Sequence, residues 1–357
     1  MTAFHQHRGA TLATLALTTA IGLGAVSACS GSGTPAPTTP TSTSTSGGPQ
    51  SSSPPGQTEG AASTVRLAAV GDMNNDGNTS LTSPTGEVAS SILAANPELV
   101  FGLGDFQYPK GTCSALVEDY DKVWGKVVPL MYHIAGPNHD WNSASDEEGY
   151  RRHFAGTCPD QTTGPSALVR SEHAPVGPGD FWSRDVGAWH LVGLSTGLWR
   201  FDQGKAEEMT RTLDRDLAAA KARGKYLLVA YHDPYFTSTT DQHGPDKAVK
   251  PWVDVIDKYD VRLTLSGSQH NYERSCPILE SDACTPDTGP GTTAFNVSTG
   301  GVNLRSFENK PPYIVKRFSD TYGWLALSLH PDGSFDWRYH PVVGSSTDSG
   351  TRPAPRT

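Results

Sequence analysis

Five short apolar runs each stop at a side chain able to bind metal. They are VRLAAV before Gly71-Asp72, ELVFGL before Gly104-Asp105, PLMYHIAG before Asn138-His139, YLLVAY before His232, and VRLTLSGSQ before His270. A strand covered on both faces reads as a continuous apolar stretch, so each run is a candidate buried strand. In open α/β sheets the functional loops gather outside the carboxyl ends of the strands, so five such loops can meet at one point. With the nearby Tyr108 they supply oxygen and nitrogen donors of the kind that divalent and trivalent first-row metals accept, and no Cys stands among them. The expectation is a metallohydrolase.

The N-terminus carries His5, His7 and Arg8, then ATLATLALTTAIGLGAVSA, then Cys29. A spanning helix needs about 20 predominantly apolar residues, and Thr and Gly dilute this stretch, so a signal peptide is the better reading. Val26-Ser27-Ala28-Cys29 resembles a bacterial lipobox. That resemblance implies a signal over residues 1–29 and a lipidated Cys29 that holds the protein on the outer face of the membrane; an ordinary cleaved signal would leave it secreted. Residues 30–63 are almost wholly Ser, Thr, Pro, Gly and Ala and read as a flexible tether, because they cannot bury enough surface to offset chain entropy. Residues 64–343 are expected to form one domain, and the polar tail 344–357 to fray. A formal net charge of -9 gives no basic footprint, which argues against nucleic acid as a bulk partner and leaves small phosphorylated metabolites open. Of five Cys, removal of Cys29 leaves four, suited to two disulfides in an exported protein. Cys276 and Cys284 close a short loop and make Cys113 with Cys158 the natural second pair, although four Cys allow three pairings.

Within the body, Met209, Leu213, Leu217 and Ala220 form one helical stripe, with acids early, bases late and Gly224 as a stop. This helix feeds the strand YLLVAY, a helix-to-strand unit of an α/β sheet. A second helix is expected from Pro84 to Asn96. YGWLALSLHPDGSFDWRYHP alternates on both sides of Pro331-Asp332-Gly333 and reads as a hairpin. His133, inside an apolar run, and His190 are expected to serve structure.

Taken together, Gly71-Asp72, Gly104-Asp105-Phe106-Gln107-Tyr108, Asn138-His139-Asp140, Val229-Ala230-Tyr231-His232 and Gly267-Ser268-Gln269-His270-Asn271-Tyr272-Glu273-Arg274 resemble the five signature motifs of calcineurin-like metallophosphoesterases. The Tyr108 spacing and the Tyr272-Glu273-Arg274 ending resemble the purple acid phosphatase branch. The similarity extends through Asp185 to His190, Thr299-Gly300-Gly301 and the final hairpin. It implies an α/β protein, a four-layer α/β/β/α sandwich with the site between two central sheets. It further implies two metal ions bridged by Asp105. The first would be held by Asp72, Asp105, the phenolate of Tyr108 and His270, whose three anionic donors favour ferric iron. The second, a divalent Zn, Fe or Mn ion, would be held by Asp105, Asn138 and His232. Such a pair, roughly 3.5 to 4 Å apart, lowers the pKa of a bridging water and neutralises phosphate oxygens. His139 would contact phosphate or protonate the leaving group, with Asp140 orienting it, and His243 falls where relatives often place another substrate-facing His.

Three positions depart from the pattern. Ser268 replaces the first His of a His-x-His pair, which leaves the second metal one ligand short and open to water, Ser268 or Gln269. Pro137 stands where Gly is usual, and Asn74 where many relatives have His. The expected function is an exported phosphoesterase acting on small phosphomonoesters. The alternatives are a phosphodiesterase for nucleotides or lipid head groups, and a degenerate relative that binds metal or phosphate without turnover. Specificity is expected to reside in loops such as Asn142 to Pro178, which carry no readable motif, and the sequence implies no oligomeric state.

Overall fold

The continuous apolar character of the strand runs has a direct physical origin in the way alternate residues feed different cores. In β1 (Val65–Val70), Leu67 and Ala69 enter one buried cluster while Ala68 and Val70 enter another. In β6 (Tyr226–Tyr231), Leu228 and Ala230 join the same cluster as Leu67, whereas Leu227, Val229 and Tyr231 join a third. Successive side chains of a strand point to opposite faces, so a strand must be apolar throughout when both of its faces are covered. Three cores of this kind separate four layers, α/β/β/α. The computed structural model describes residues 63–171 and 177–356. The expected signal peptide with Cys29, and all of the expected tether except Ser63, lie outside the described residues.

The first sheet runs in the order β13-β12-β11-β1-β2-β3. Here β2 is Leu99–Gly102, β3 Met131–His133, β11 Tyr322–Leu329, β12 Phe335–Val343 and β13 Ser349–Arg352. β1, β2 and β3 are parallel, and β11 lies antiparallel to β1. The second sheet runs β10-β8-β9-β7-β6-β5-β4. Its strands are β4 (Trp182–Val186), β5 (Trp189–Leu194), β6, β7 (Leu263–Ser266), β8 (Tyr272–Ile278), β9 (Thr292–Val297) and β10 (Ile314–Phe318). β5, β6, β7 and β9 are parallel, with antiparallel strands at both edges. Both sheets are therefore mixed: the parallel strands β1, β2 and β3 form one end of the first sheet, and β5, β6, β7 and β9 form the middle of the second.

The two outer layers follow from amphipathic helices. Pro84–Ala95 starts at Ser83, whose hydroxyl accepts from the Gly86 N–H, and stops at Asn96 in the left-handed region. Val88 and Ile92 bury its inner face on the first sheet beside Trp124 and Met131. Gln203–Ala222 begins at Asp202 and lays Met209, Leu213, Leu217 and Ala220 on the second sheet with Trp252 and Ile256 of Lys250–Lys258. Each large apolar side chain buried in this way contributes about 1.5 to 3 kcal/mol over leaving it in water. Disulfides join Cys113 to Cys158 and Cys276 to Cys284.

Two segments depart from the sequence expectation. The tail beyond Val343 does not fray: Ser349–Arg352 pairs with β12, in the register Phe335 to Arg352. Arg352 is buried, and its guanidinium donates to the carbonyls of Arg262, Asp287, Gly289 and Gly291. Asp348 accepts from Tyr272, Arg274 and Trp337. These polar residues are retained inside because distant parts of the chain satisfy them. Within 142–178, Ala144–Phe154 is a helix rather than loop, capped by the Ser143 hydroxyl, with Asp146 and Glu147 in its first turn and Arg151, Arg152 and His153 in its last. The Ser-x-x-Asp spacing and this charge order were its readable signals.

His133 is a core residue, bonded through Nδ1 to Tyr150 at 2.7 Å and through Nε2 to Ser166 at 3.0 Å. Burial, then the nearby His153, pushes its pKa from 6.5 down to about 3. The unfolded chain takes up a proton near 6.5 that the folded chain refuses. Stability from this residue is therefore complete above pH 6.5 and is lost as pH falls toward 3. Urea unfolding between pH 7 and pH 4 should show a smaller decline in His133→Gln than in wild type, and an equal decline would contradict this role.

Candidate metal centre

The parallel strands deliver their loops with an unusual backbone. Asp72, Asp105 and His270 follow β1, β2 and β7 at φ values of 57°, 53° and 53°, and Ser268 has φ 77°. Residues other than Gly seldom occupy this left-handed region, and the strain persists only where surrounding bonds enforce it. Here Asp72 N–H donates to the Gly104 carbonyl and Met73 N–H to the Asp105 carbonyl, which carries the β1–β2 pairing past the strand ends. Ser268 N–H donates to Asp72 Oδ2 at 2.9 Å and so ties the second sheet to the first.

The side chains crowd around one phenol. Tyr108 Oη lies 2.8 Å from Asp72 Oδ1, 2.9 Å from Asp105 Oδ2 and 2.9 Å from His270 Nε2. A phenol has one proton, which cannot serve both carboxylates at once. His270 Nδ1 faces the Asn303 carbonyl at 2.8 Å, and His232 Nδ1 faces the Leu103 carbonyl at 2.6 Å. Each carbonyl fixes the Nδ1–H tautomer and leaves the Nε2 lone pair directed inward, as metal-ligating imidazoles require. His232 Nε2 lies 3.3 Å from Asp105 Oδ2. Asp72, Asp105 and His232, all buried, each present a ligand atom within 4.8 Å of the others and form a group that can hold a metal ion.

Three buried atoms of these residues make no hydrogen bond among the described residues, Asp105 Oδ1, Asn138 Oδ1 and His232 Nε2, the last having only its ion-pair approach to Asp105 Oδ2. A buried polar atom without a hydrogen bond is costly, and Asp105 Oδ1 and His232 Nε2, which both border the space beside Gly136, suit a cation. Gly136 keeps the space open, because a Cβ there would lie 2.2 Å from Asp105 Oδ1 and 2.9 Å from His232 Nε2. Electrostatics agree. Burial raises the Asp72 carboxyl, but the bond and charge of His270, with His232 and Tyr108, outweigh burial and hold it well below the ordinary range. Burial, then the charges of Asp105 and Asp72, drives the Tyr108 phenol well above 10.0. It becomes a phenolate only opposite a strongly charged ion.

His139 stands at the mouth. Its Nδ1 bonds the Pro109 carbonyl at 2.8 Å, its ring lies against Tyr108 with centroids 3.7 Å apart, and Nε2 is 3.9 Å from Asp105 Oδ2. Beside it opens a cavity of about 460 Å³ lined in part by Asn75, Tyr108, His139, His270 and Arg305. Arg305, which carries a buried unpartnered nitrogen, was not singled out in the sequence because it belongs to no motif. His243 is half-buried on the loop beside this cavity, and its ring makes no hydrogen bond among the described residues. Asn74 donates to Gln107 Oε1 at 2.8 Å and is thereby turned to structure.

Asp140 does not orient His139, which is held instead by Pro109. Its buried carboxylate accepts from three backbone N–H groups, Asp105 at 2.6 Å, Gly136 at 2.8 Å and Phe106 at 3.0 Å. Burial, then the charge of Asp105, pushes its pKa up to about 7, with these amides acting in the opposite direction. Asp140 thus braces the loop that carries Asp105 against the one that carries Asn138. Asp140→Ala strands three buried N–H groups at about 1 to 3 kcal/mol each, so urea unfolding of the metal-free protein should show a loss of at least 3 kcal/mol. A loss below about 0.5 kcal/mol, the usual range for surface changes, would contradict this bracing.

No protein-family model matches the chain. Among curated proteins it is 25% identical over 265 residues to a probable inactive purple acid phosphatase 27 of Arabidopsis thaliana, covering 68% of this chain and 41% of that protein. It is 26% identical over 268 residues to a nucleotide pyrophosphatase/phosphodiesterase of Hordeum vulgare, covering 68% of each. The match to the first of these spans only about two fifths of that relative's length. Among solved structures, a purple acid phosphatase from yellow lupin seeds aligns with a TM-score of 0.60 at 20% identity, over 82% of this chain and 54% of that one. A dimetal phosphatase from Danio rerio aligns at 0.53 and 13% identity, over 82% and 100%. The fold of this chain is that of the metallophosphoesterases, in the form seen in purple acid phosphatases.

Proposed function

We propose that the chain is an exported, metal-dependent phosphoesterase that hydrolyses phosphomonoesters. One observation supports this reading: loops from both sheets bring Asp72, Asp105 and His232 within reach of one ion, with Tyr108 and His270 bonded to the same carboxylates. In this reading Asp72, Tyr108 and His270 would hold a first ion and Asn138 and His232 a second, with Asp105 available to both. Two anionic carboxylates and a phenolate suit ferric iron at the first position, with a divalent ion at the second. Two such ions, when bound, supply a nucleophile at neutral pH and Lewis-acid neutralisation of the phosphate.

The chain's own residues provide the remainder. The Pro109 carbonyl fixes the proton of His139 on Nδ1, so Nε2 faces the mouth of the site and can pass a proton to a leaving group there. Arg305 and Asn75 in the adjoining cavity offer donors to phosphate oxygens. Asp140 holds the Asp105 loop still. Two other readings each have a specific support. A relative named nucleotide pyrophosphatase/phosphodiesterase favours diester substrates. The loss of a His at position 268, together with relatives named probable inactive, favours a binder without turnover.

A panel of phosphomonoesters and phosphodiesters assayed with the metal-loaded protein separates these readings. Turnover of monoesters is expected, with His139→Ala lowering kcat on the order of 10²-fold or more while metal content stays at the wild-type value. Metal binding without turnover of any ester would overturn the enzyme reading, and equal loss of metal and rate in His139→Ala would make His139 a ligand. Export and anchoring rest on the lipobox-like Val26-Ser27-Ala28-Cys29. Cys29→Ser should move the protein from the membrane fraction to the soluble one, and unchanged membrane retention would exclude the lipid anchor.

A further inference from the structure

A second cavity, of about 230 Å³, opens where the loops after β5 and β6 meet, and is lined in part by Pro137, Thr196, Trp199, Arg200, Asp233 and Asp246. None of the residues proposed to hold an ion lines it. Three of its residues carry a buried polar atom that makes no hydrogen bond among the described residues: Thr196 Oγ1, Trp199 Nε1 and Asp233 Oδ2. The larger cavity beside His139 has one such residue, Arg305. Thr196 is 2% exposed and Asp233 9%. Asp233 accepts from the Ser268 hydroxyl through its other oxygen, Oδ1, at 2.9 Å. Thr196 precedes the helical turn Gly197–Phe201 without capping it through its side chain, and its carbonyl accepts from the Trp199 N–H at 3.1 Å. The loops around the cavity are bonded in pairs. Asp246 N–H donates to the Pro234 carbonyl at 2.9 Å, and Ser195 Oγ accepts from the Ala135 N–H at 3.3 Å. Buried polar groups are seldom left without a hydrogen bond, and several on the walls of one cavity suit a polar guest.

We propose that this cavity is a binding site for a small polyhydroxylated molecule, a polyol or a monosaccharide, separate from the metal centre. Its lining combines opposite hydrogen-bonding needs. An ionised Asp233 Oδ2 only accepts, the Trp199 indole N–H only donates, and the Thr196 hydroxyl does either. A cation would leave the indole without an acceptor, and an anion would meet the carboxylates of Asp233 and Asp246. A set of hydroxyls satisfies both kinds of group, because each hydroxyl donates once and also accepts. Asp246 belongs to the same electrostatic group. Burial raises its carboxyl, the Ala248 N–H lowers it, and the charges of Asp233 and Arg200 then act in opposite directions. The volume is below the roughly 300 to 1,000 Å³ of sites that take drug-sized ligands, which limits the guest to the size of a monosaccharide or less. No atom of this lining is assigned to either ion, so the site does not depend on the two-ion reading.

Saturation-transfer NMR and calorimetric titration of glycerol, ribose and glucose with the purified full chain test this for wild type, Thr196→Val, Trp199→Phe, Asp233→Asn and Arg305→Ala. At least one of the three compounds should bind wild type. Its affinity should fall roughly fivefold in Thr196→Val and in Trp199→Phe, each of which loses a neutral hydrogen bond, and more than about tenfold in Asp233→Asn, which loses bonds to a charged oxygen. Arg305→Ala, which alters the other cavity, should bind as wild type does. If Asp233→Asn fails to fold, judged by circular dichroism, Thr196→Val and Trp199→Phe decide. Failure of all three compounds to bind wild type overturns the proposal, as does binding that Thr196→Val and Trp199→Phe both leave at the wild-type value. Ethanolamine or inorganic phosphate that binds wild type and is lost in these variants, with no polyol bound, overturns it in favour of a charged guest.

Discussion

The structure turns on one congested point, where the Tyr108 hydroxyl meets Asp72, Asp105 and His270 within 2.9 Å. Two carboxylates, two inward-facing imidazoles and a phenol share a largely buried region, with too few protons to pair every acceptor. Groups of like charge are not placed so close in a low-dielectric interior without compensation. The donor set therefore makes chemical sense as the shell of something strongly positive. Much of the surrounding architecture keeps that set in place. Left-handed backbone at Asp72, Asp105 and His270 aims the side chains inward, and backbone bonds between the β1 and β2 loops make the strained conformations affordable. Asp140 adds a brace by tying three amides of the Asp105 and Asn138 loops to one buried carboxylate.

The division of labour between the two sheets explains why the site sits where it does. The first sheet contributes Asp72, Asp105, Tyr108 and Asn138, and the second contributes His232 and His270. Neither sheet holds a complete set of donors. The apolar cluster shared by Leu67, Phe101, Leu228, Leu263 and Phe295 fixes the sheets face to face, so packing far from the ligands sets the spacing of the ligands. Gly136 stands where a side chain would intrude on Asp105 and His232. Packing, backbone strain and charge are in this sense one constraint seen at three scales.

How much of this can be read in the sequence depends on the range of the forces involved. Strands β1, β2, β3, β6 and β7 are legible because being covered on two faces leaves an apolar run, and the helix of Met209, Leu213 and Leu217 because one covered face leaves a stripe. The ligand-type residues are legible because each ends such a run. What escapes is set by partners distant in the chain. Arg352 and Asp348 look like a solvated tail until the carbonyls and side chains that satisfy them are in place. Asp140 beside His139 invites a pairing with it, whereas its carboxylate meets the Gly136 amide and two amides 34 and 35 residues away. Ser268 looks like a lost ligand, and only the fold brings it to Asp233.

The account stands most directly on the first ion and the phenol that would bind it. An optical spectrum of the purified full chain, taken with its iron content, measures both together. The expected result is iron bound to the protein and a visible phenolate-to-ferric charge-transfer band that vanishes in Tyr108→Phe. An active protein that is colourless and free of iron, or a band that persists unchanged in Tyr108→Phe, would contradict the account.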